Sequence, residues 1–293
     1  MKTDFYKYQA QTTPHPLALE VSHAKGCYIY DTKGKEYLDF IAGVSAISLG
    51  HCHPKIISAV KNQLDKYLHV MVYGEFIQEP AVELTKLLSR FLPENLTTTY
   101  LTNSGTEAIE GSMKLARRAT GRKEIIYAKN AYHGNTMGAL SIMGVEERKE
   151  MFQPLLADCN SIEFNNEKDI LKITSKTAGV VLETIQGGAG FIVPENNYLK
   201  KVKNRCSEVG ALLILDEIQP GFGRTGKLFS YEHYDILPDI LVIGKGMGGG
   251  MPIGAFTASK ELMLLLLELT TMTDGWEKYD DVKSRKDSRS SVL

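Results

Sequence analysis

The apolar positions of this chain follow two rhythms, and the change between them falls near residue 97. Beyond it, short uniformly apolar runs alternate with helically spaced ones: "TTTYLTN", "EAIEGSMKLARRA", "EIIYAKN", "AGVVLET", "NNYLKKVKNRCSEVG", "ALLILDE" and "DILVIGK". Strands that are apolar on both sides are covered on both faces, and strands separated by helices are joined by crossovers. The segment therefore predicts an α/β domain with a largely parallel sheet. Upstream, Ile56, Ile57, Val60, Leu64 and Leu68 recur at helical spacing over residues 53–68, with Pro54 in the first turn, and "PAVELTKLLSRFL" at 80–92 repeats the pattern. Residues 17–44 hold apolar segments broken by "AKG" and "TKGKE", which predicts short antiparallel strands. The expected organisation is an N-terminal arm with antiparallel strands over 1–52, an α/β large domain over 53–262, and an atypical, partly disordered tail over 263–293 that is polar and charged from Asp274.

Composition narrows the function without naming it. The 293 residues are 43% hydrophobic and 24% charged, which suits a folded globular chain. A formal net charge of −1 supplies no long-range field for nucleic acid or an anionic membrane, so small molecules are the expected partners. Cys27, Cys52, Cys159 and Cys206 show no metal-type spacing, which predicts reduced thiols and no metal site. The first twenty residues lack the apolar core of a signal peptide, and "LMLLLL" at 262–267 is too short to span a bilayer. A cytoplasmic protein is the expectation.

In open parallel sheets, ligands collect beyond the carboxyl ends of the strands, so the residues after each apolar run carry the candidate chemistry. After the first run, Ser104 with Glu107 three residues on reads as a capping box, and Gly105 and Thr106 open a helix whose free N–H groups can hold a phosphate. An ordinary helix cap explains the same residues. Later runs end in Tyr132 and His133, able to stack on and bond to a planar ligand, then in Glu183 and Gln186, then in Asp216, Glu217 and Gln219. The last ends in Lys245. A lysine amine able to form a Schiff base, a carboxylate for a pyridine nitrogen, and donors for a phosphate together meet the needs of pyridoxal phosphate.

At these residues the chain resembles the class III, or omega, family of pyridoxal-phosphate aminotransferases, which includes acetylornithine, ornithine and 4-aminobutyrate aminotransferases. The likeness runs through "GHCHP", "NSGTEA", "AYHGNT", "ETIQGGAG", "LLILDEIQPGFGRTGKLF" and "PDILVIGKGMGGGMPIGAF". The resemblance implies a fold type I large domain with a mainly parallel seven-stranded sheet, working as a homodimer with sites at the interface. It implies transfer of an amino group from an amino acid or omega-amine to a 2-oxo acid such as 2-oxoglutarate. It further implies that Lys245 forms the Schiff base and then moves the substrate proton, that Asp216 partners the pyridine nitrogen, and that Gln219 bonds the phenolic oxygen. Gly105 and Thr106 would hold the phosphate and Tyr132 would stack on the ring, with Ser104, His133 and Glu183 completing the expected cofactor-binding set.

The departures carry information too. The family's commonest form has proline and glutamate where this chain has Thr184 and Gly188, and ornithine-type enzymes pair that glutamate with a substrate-reading arginine. Acetylornithine-type enzymes have arginine in place of Asn135. Both differences point away from those two donors. Residues after Met263 do not match the family's continuation into a small C-terminal domain, so a chain lacking that domain, with apolar surface left uncovered, is expected. Three other readings stand beside the aminotransferase. One is a non-catalytic remnant that binds the cofactor weakly or serves as a partner subunit. Another is an aminomutase or racemase using the same lysine. The third is a nucleotide-binding protein, against which "GKGMGGGMPIG" lacks the GxGxxG order.

Overall fold

The computed structural model describes residues 1–71 and 74–266. After a short exposed helix, α1 (Lys2–Tyr8), three strands form an antiparallel sheet in the order β1 (Val21–Lys25), β2 (Tyr28–Asp31), β3 (Glu36–Leu38). Asp31 organises the second turn: its Oδ1 accepts the Lys33 and Lys35 amides at 2.9 Å each, and its Oδ2 accepts the Tyr37 hydroxyl at 3.0 Å. Gly34, at φ 83°, takes the left-handed position that the turn requires.

A tight turn, α2 (Ala42–Ser45), leads to two amphipathic helices, α3 (Pro54–Leu64) and α4 (Glu79–Phe91). The apolar spacing overestimates α3 by one turn. Lys66 and Tyr67 both donate to the Gln63 carbonyl, which tightens and ends the helix, and Leu68 lies beyond it at 82% exposure. Nothing in α3 is fully buried. Elsewhere Phe40 is 90% exposed and Ile77 93% exposed.

The large sheet has seven strands: β4 (Thr98–Thr102), β5 (Glu124–Ala128), β6 (Cys159–Ile162), β7 (Thr177–Glu183), β8 (Leu212–Asp216), β9 (Ile240–Ile243) and β10 (Gly254–Ala258). They lie in the order β4-β10-β9-β8-β7-β5-β6, with β10 antiparallel to both its neighbours and the other pairs parallel. This is the mainly parallel seven-stranded sheet that the resemblance implied. Side chains alternate between two cores. Leu213 and Leu215 pack with Tyr198, Val202 and Cys206 of α7 (Tyr198–Val209), while Val181 and Ile214 pack with Ile109, Met113 and Ala116 of α5 (Gly105–Thr120). A Cβ on Gly111 would lie 2.4 Å from the Phe256 ring, so glycine there lets α5 settle close onto β10.

Two shorter helices, α6 (Met137–Ser141) and α8 (Lys260–Leu264), flank α5. From residue 267 the predicted tail lies outside the described residues. Among the described residues, no helix is long and apolar enough to cross a membrane, and no cluster of His, Cys, Asp or Glu could hold a metal.

Candidate active site

Parallel pairing sets the spacing of the strand-end residues. Glu183 ends β7 directly opposite Asp216 at the end of β8, and Asp216 in turn pairs with Val242 of β9. Lys245 follows β9 after Gly244 and adopts the left-handed region at φ 43°, unusual for a side chain with a Cβ. Backbone held in this way by its surroundings is characteristic of sites where a side chain must be aimed. These residues line one cavity of about 300 Å³, together with Gly105, Thr106, Tyr132 and Gln219.

Asp216 is 3% exposed, and both its oxygens are engaged: Oδ1 accepts the Ile218 amide at 2.9 Å, and Oδ2 lies 2.8 Å from Nδ1 of His133. The carboxylate is thereby aimed and cannot rotate freely. His133 and Glu183 are 2% and 4% exposed, yet Nε2 of His133 and Oε2 of Glu183 have no hydrogen-bond partner. Burial pushes the Glu183 carboxyl up to about 7, against the His133 imidazole and with the help of the Asp216 charge. Burial also lowers the Lys245 amine, opposed by Asp216 and Glu183, which moves it toward the neutral form that can act as a nucleophile.

At the opposite rim, α5 opens with Gly105 as its first residue. Ser104 caps it, accepting the Glu107 amide at 3.3 Å, while Glu107 accepts the Asn103 amide at 2.8 Å and the Ser104 hydroxyl at 3.2 Å. The Ser104 side chain is thus spent on the helix and does not line the cavity, unlike Gly105 and Thr106. Thr106 Oγ1 lies 2.7 Å from Thr136 Oγ1, and Thr136 donates on to Glu110 at 2.6 Å. This chain of bonds ties the 132–136 loop to the helix start.

Of the residues singled out in the sequence, Gly105, Thr106, Tyr132, His133, Glu183, Asp216, Gln219 and Lys245 meet in the cavity; Gln186 and Glu217 do not. Gln186 donates to the Lys129 carbonyl at 2.8 Å. Glu217 is wholly buried beneath the site, accepting Thr184 Oγ1 at 2.6 Å and the Tyr231 and Ser230 amides at 2.8 and 2.9 Å. Thr184, where the family's commonest form has proline, therefore has a definite bond to make. Gly134, Asn135, Ile218 and Pro220 also line the cavity. Gly134 is required by the geometry: at φ 133°, a Cβ there would fall 2.3 Å from Thr106 Oγ1, so the loop reaches the helix only through a glycine.

A lysine and an aspartate at adjacent strand ends, facing a capped helix N-terminus across one cavity, form a recognisable site, and comparison with known proteins decides its kinship. The family model described as aminotransferase class-III matches residues 8–272. The chain belongs to the class III aminotransferase family. Class III aminotransferases are pyridoxal-phosphate enzymes. The acetylornithine aminotransferase of Clostridium acetobutylicum is 44% identical over 245 residues, covering 81% of this chain and 62% of that protein. The [LysW]-aminoadipate semialdehyde/glutamate semialdehyde transaminase of Sulfolobus acidocaldarius is 42% identical, covering 80% of this chain and 60% of that one. This chain thus spans less than two thirds of the length of these class III relatives. Among solved structures, an ornithine aminotransferase from Toxoplasma gondii with partial occupancy of PLP at its active site superposes with a TM-score of 0.83 at 30% identity, covering 91% of this chain and 65% of that one.

Proposed function

We propose that this chain binds pyridoxal phosphate at the cavity beyond β7, β8 and β9 and transfers an amino group from an amine donor to a 2-oxo acid. The observation that carries the reading is the placing of Lys245 beside a buried, doubly anchored Asp216 in a cavity closed at its far side by the start of α5. The residues fit the group. The cavity offers an amine, a buried carboxylate, an aromatic side chain and a helix N-terminus, and two buried polar atoms of its lining residues, His133 Nε2 and Glu183 Oε2, lack partners.

Lys245 would carry the cofactor, Asp216 would hold a proton on the ring nitrogen, and Gly105 and Thr106 would bind the phosphate through the start of α5. Tyr132 would cover the ring, and Gln219 would bond to its phenolic oxygen. Bound pyridoxal phosphate supplies an electron-withdrawing ring that stabilises negative charge on the substrate carbon. With its amine free, Lys245 would be the group able to accept the proton from the substrate carbon and hand it on. Burial supports this role, because it lowers the Lys245 amine and so eases its loss of a proton.

The donor is an amino acid or ω-amine and the acceptor a 2-oxo acid such as 2-oxoglutarate, and Asn135 and Gly188 argue against acetylornithine and ornithine as that donor. Asn135 lines the cavity, and among the described lining residues Lys245 is the single cation, so Asn135 would offer the donor's far end a neutral amide. A homodimer is the expected assembly, and the exposed side chains of Phe40, Ile77 and Leu68 would be available to it. The test is to add pyridoxal phosphate, record the visible band, then supply candidate donors with 2-oxoglutarate and assay glutamate. A lysine-dependent band that is lost with one donor as glutamate accumulates is the expected result; no band at all overturns the reading.

A further inference from the structure

Of the two carboxyls that line the cavity, Glu183 is the one that the assigned roles leave unused, although it is 4% exposed. It sits opposite Asp216 in the β7–β8 register, and its Oε2 is buried without a partner. The groups that face it come from every neighbouring element. His133 and the Tyr132 amide come from the segment after β5, Asp216 from β8, Lys245 from the turn after β9, and the Gly187 amide from its own loop. Glu217, also at the end of β8, is directed away toward Thr184, Ser230 and Tyr231.

Two carboxyl groups so placed cannot both carry charge in a buried space at ordinary cost. Asp216 has donors or an imidazole on both oxygens, whereas Glu183 leaves one oxygen bare. The proton therefore belongs on Glu183. We propose that Glu183 is a positioning residue that keeps this proton up to the edge of neutral pH and thereby sets how readily Lys245 gives up its own. A neutral Glu183 leaves only Asp216 opposing the loss of the Lys245 proton, whereas an ionised Glu183 adds a second negative charge and holds that proton on. The direction of the Glu183 shift, upward through burial, agrees with this assignment. The inference rests on the proposed function only in taking Lys245 as the reacting amine.

The experiment needs no cofactor. The chain is treated with acetic anhydride at a series of pH values, and labelling at Lys245 is read by peptide mass spectrometry, alongside Glu183→Gln, which keeps the shape and removes the proton. The expected wild-type curve is flatter than a one-proton titration, because Glu183 ionises within it. The Gln variant should give a single steeper curve displaced to lower pH, with labelling at pH 8 raised by about tenfold, one pKa unit. Superimposable curves would overturn the proposal. Should the Gln variant fold poorly, the wild-type curve decides alone: a simple one-proton titration refutes the inference. The infrared band of a protonated carboxylic acid, lost near neutral pH in wild type, gives a second reading. A chain that shows both signatures yet gives no visible band with pyridoxal phosphate would refute the cofactor reading and leave the Glu183–Lys245 coupling standing.

Discussion

Nδ1 of His133 lies 2.8 Å from Oδ2 of Asp216, with both side chains buried beneath the cavity. The bond reaches across β7, which lies between β5 and β8 in the sheet, from the segment after β5 to the end of β8, and so ties the carboxylate to a distant part of the chain. His133→Asn, which shortens the side chain and breaks the bond, should weaken pyridoxal phosphate binding by about 10- to 100-fold, the worth of a hydrogen bond to a charged group at about 1.5–3 kcal/mol. Fluorescence titration measures it, and an unchanged Kd would remove His133 from the aiming role.

Lys245 combines a chemical role with a backbone conformation that disfavours it. At φ 43° a residue with a Cβ is strained by roughly 1–2 kcal/mol, and glycine is not. Lys245→Ala and Lys245→Gly should both abolish the visible band formed with pyridoxal phosphate. They should differ in stability, with the Gly variant more stable by about 1 kcal/mol after its greater unfolded-state entropy is counted. Urea midpoints for the two variants check this, and an Ala variant equal to or more stable than Gly would show that the conformation is unstrained.

Thr184 donates to Oε1 of Glu217 at 2.6 Å, one of three donors that satisfy this buried carboxyl below the site. Thr184→Val keeps the shape and deletes the donor. It should destabilise the fold by about 1–3 kcal/mol while leaving affinity for pyridoxal phosphate unchanged, because Thr184 does not line the cavity. Urea denaturation and cofactor titration, run together, separate the two effects.

The apolar surface gives a prediction about association. Phe40 and Ile77 are almost fully exposed in the single chain. If that surface joins two copies, Phe40→Glu with Ile77→Glu should convert a sedimenting dimer into a monomer. A wild-type chain that sediments as a monomer at tens of micromolar would refute the homodimer.

Most of the fold was legible because burial on both faces leaves a plain signature: β7, β8 and β9 are runs of Val, Ile and Leu, and their ends carry Glu183, Asp216 and Lys245. Two strands escaped notice. β6, "CNSI", is an edge strand with one fully buried residue, and β10, "GAFTA", is wholly buried between β4 and β9 but carries a single large apolar side chain, Phe256, among small ones. In both, polar or small residues interrupt the run of bulky aliphatic side chains that marks β8 and β9. Within the site, residue types pointed to the chemistry, but roles set by distant contacts were not readable. Ser104 turns to its own helix, Glu217 to the loop at Ser230, and His133 to Asp216, and each partner choice depends on how the crossovers stack.

Buried carboxyls also predict how stability responds to pH. Burial raises Glu183 to about 7, and burial raises Glu217 to about 7 despite its three donors, against an ordinary 4.5 for both. In the unfolded chain both lose their protons near that ordinary value. Between it and neutrality the folded state therefore binds more protons than the unfolded one, and stability must fall as pH rises through this window. Above the folded-state values both states are ionised at these groups and the dependence ends. Urea midpoints for the cofactor-free chain should thus decline from about pH 5 to about pH 8 and then level. Glu183→Gln should flatten that decline without removing it, since Glu217 continues to titrate. A midpoint that rises over the same range would mean that both carboxyls are ionised in the fold, with His133 and the loop amides stabilising charge more than burial opposes it.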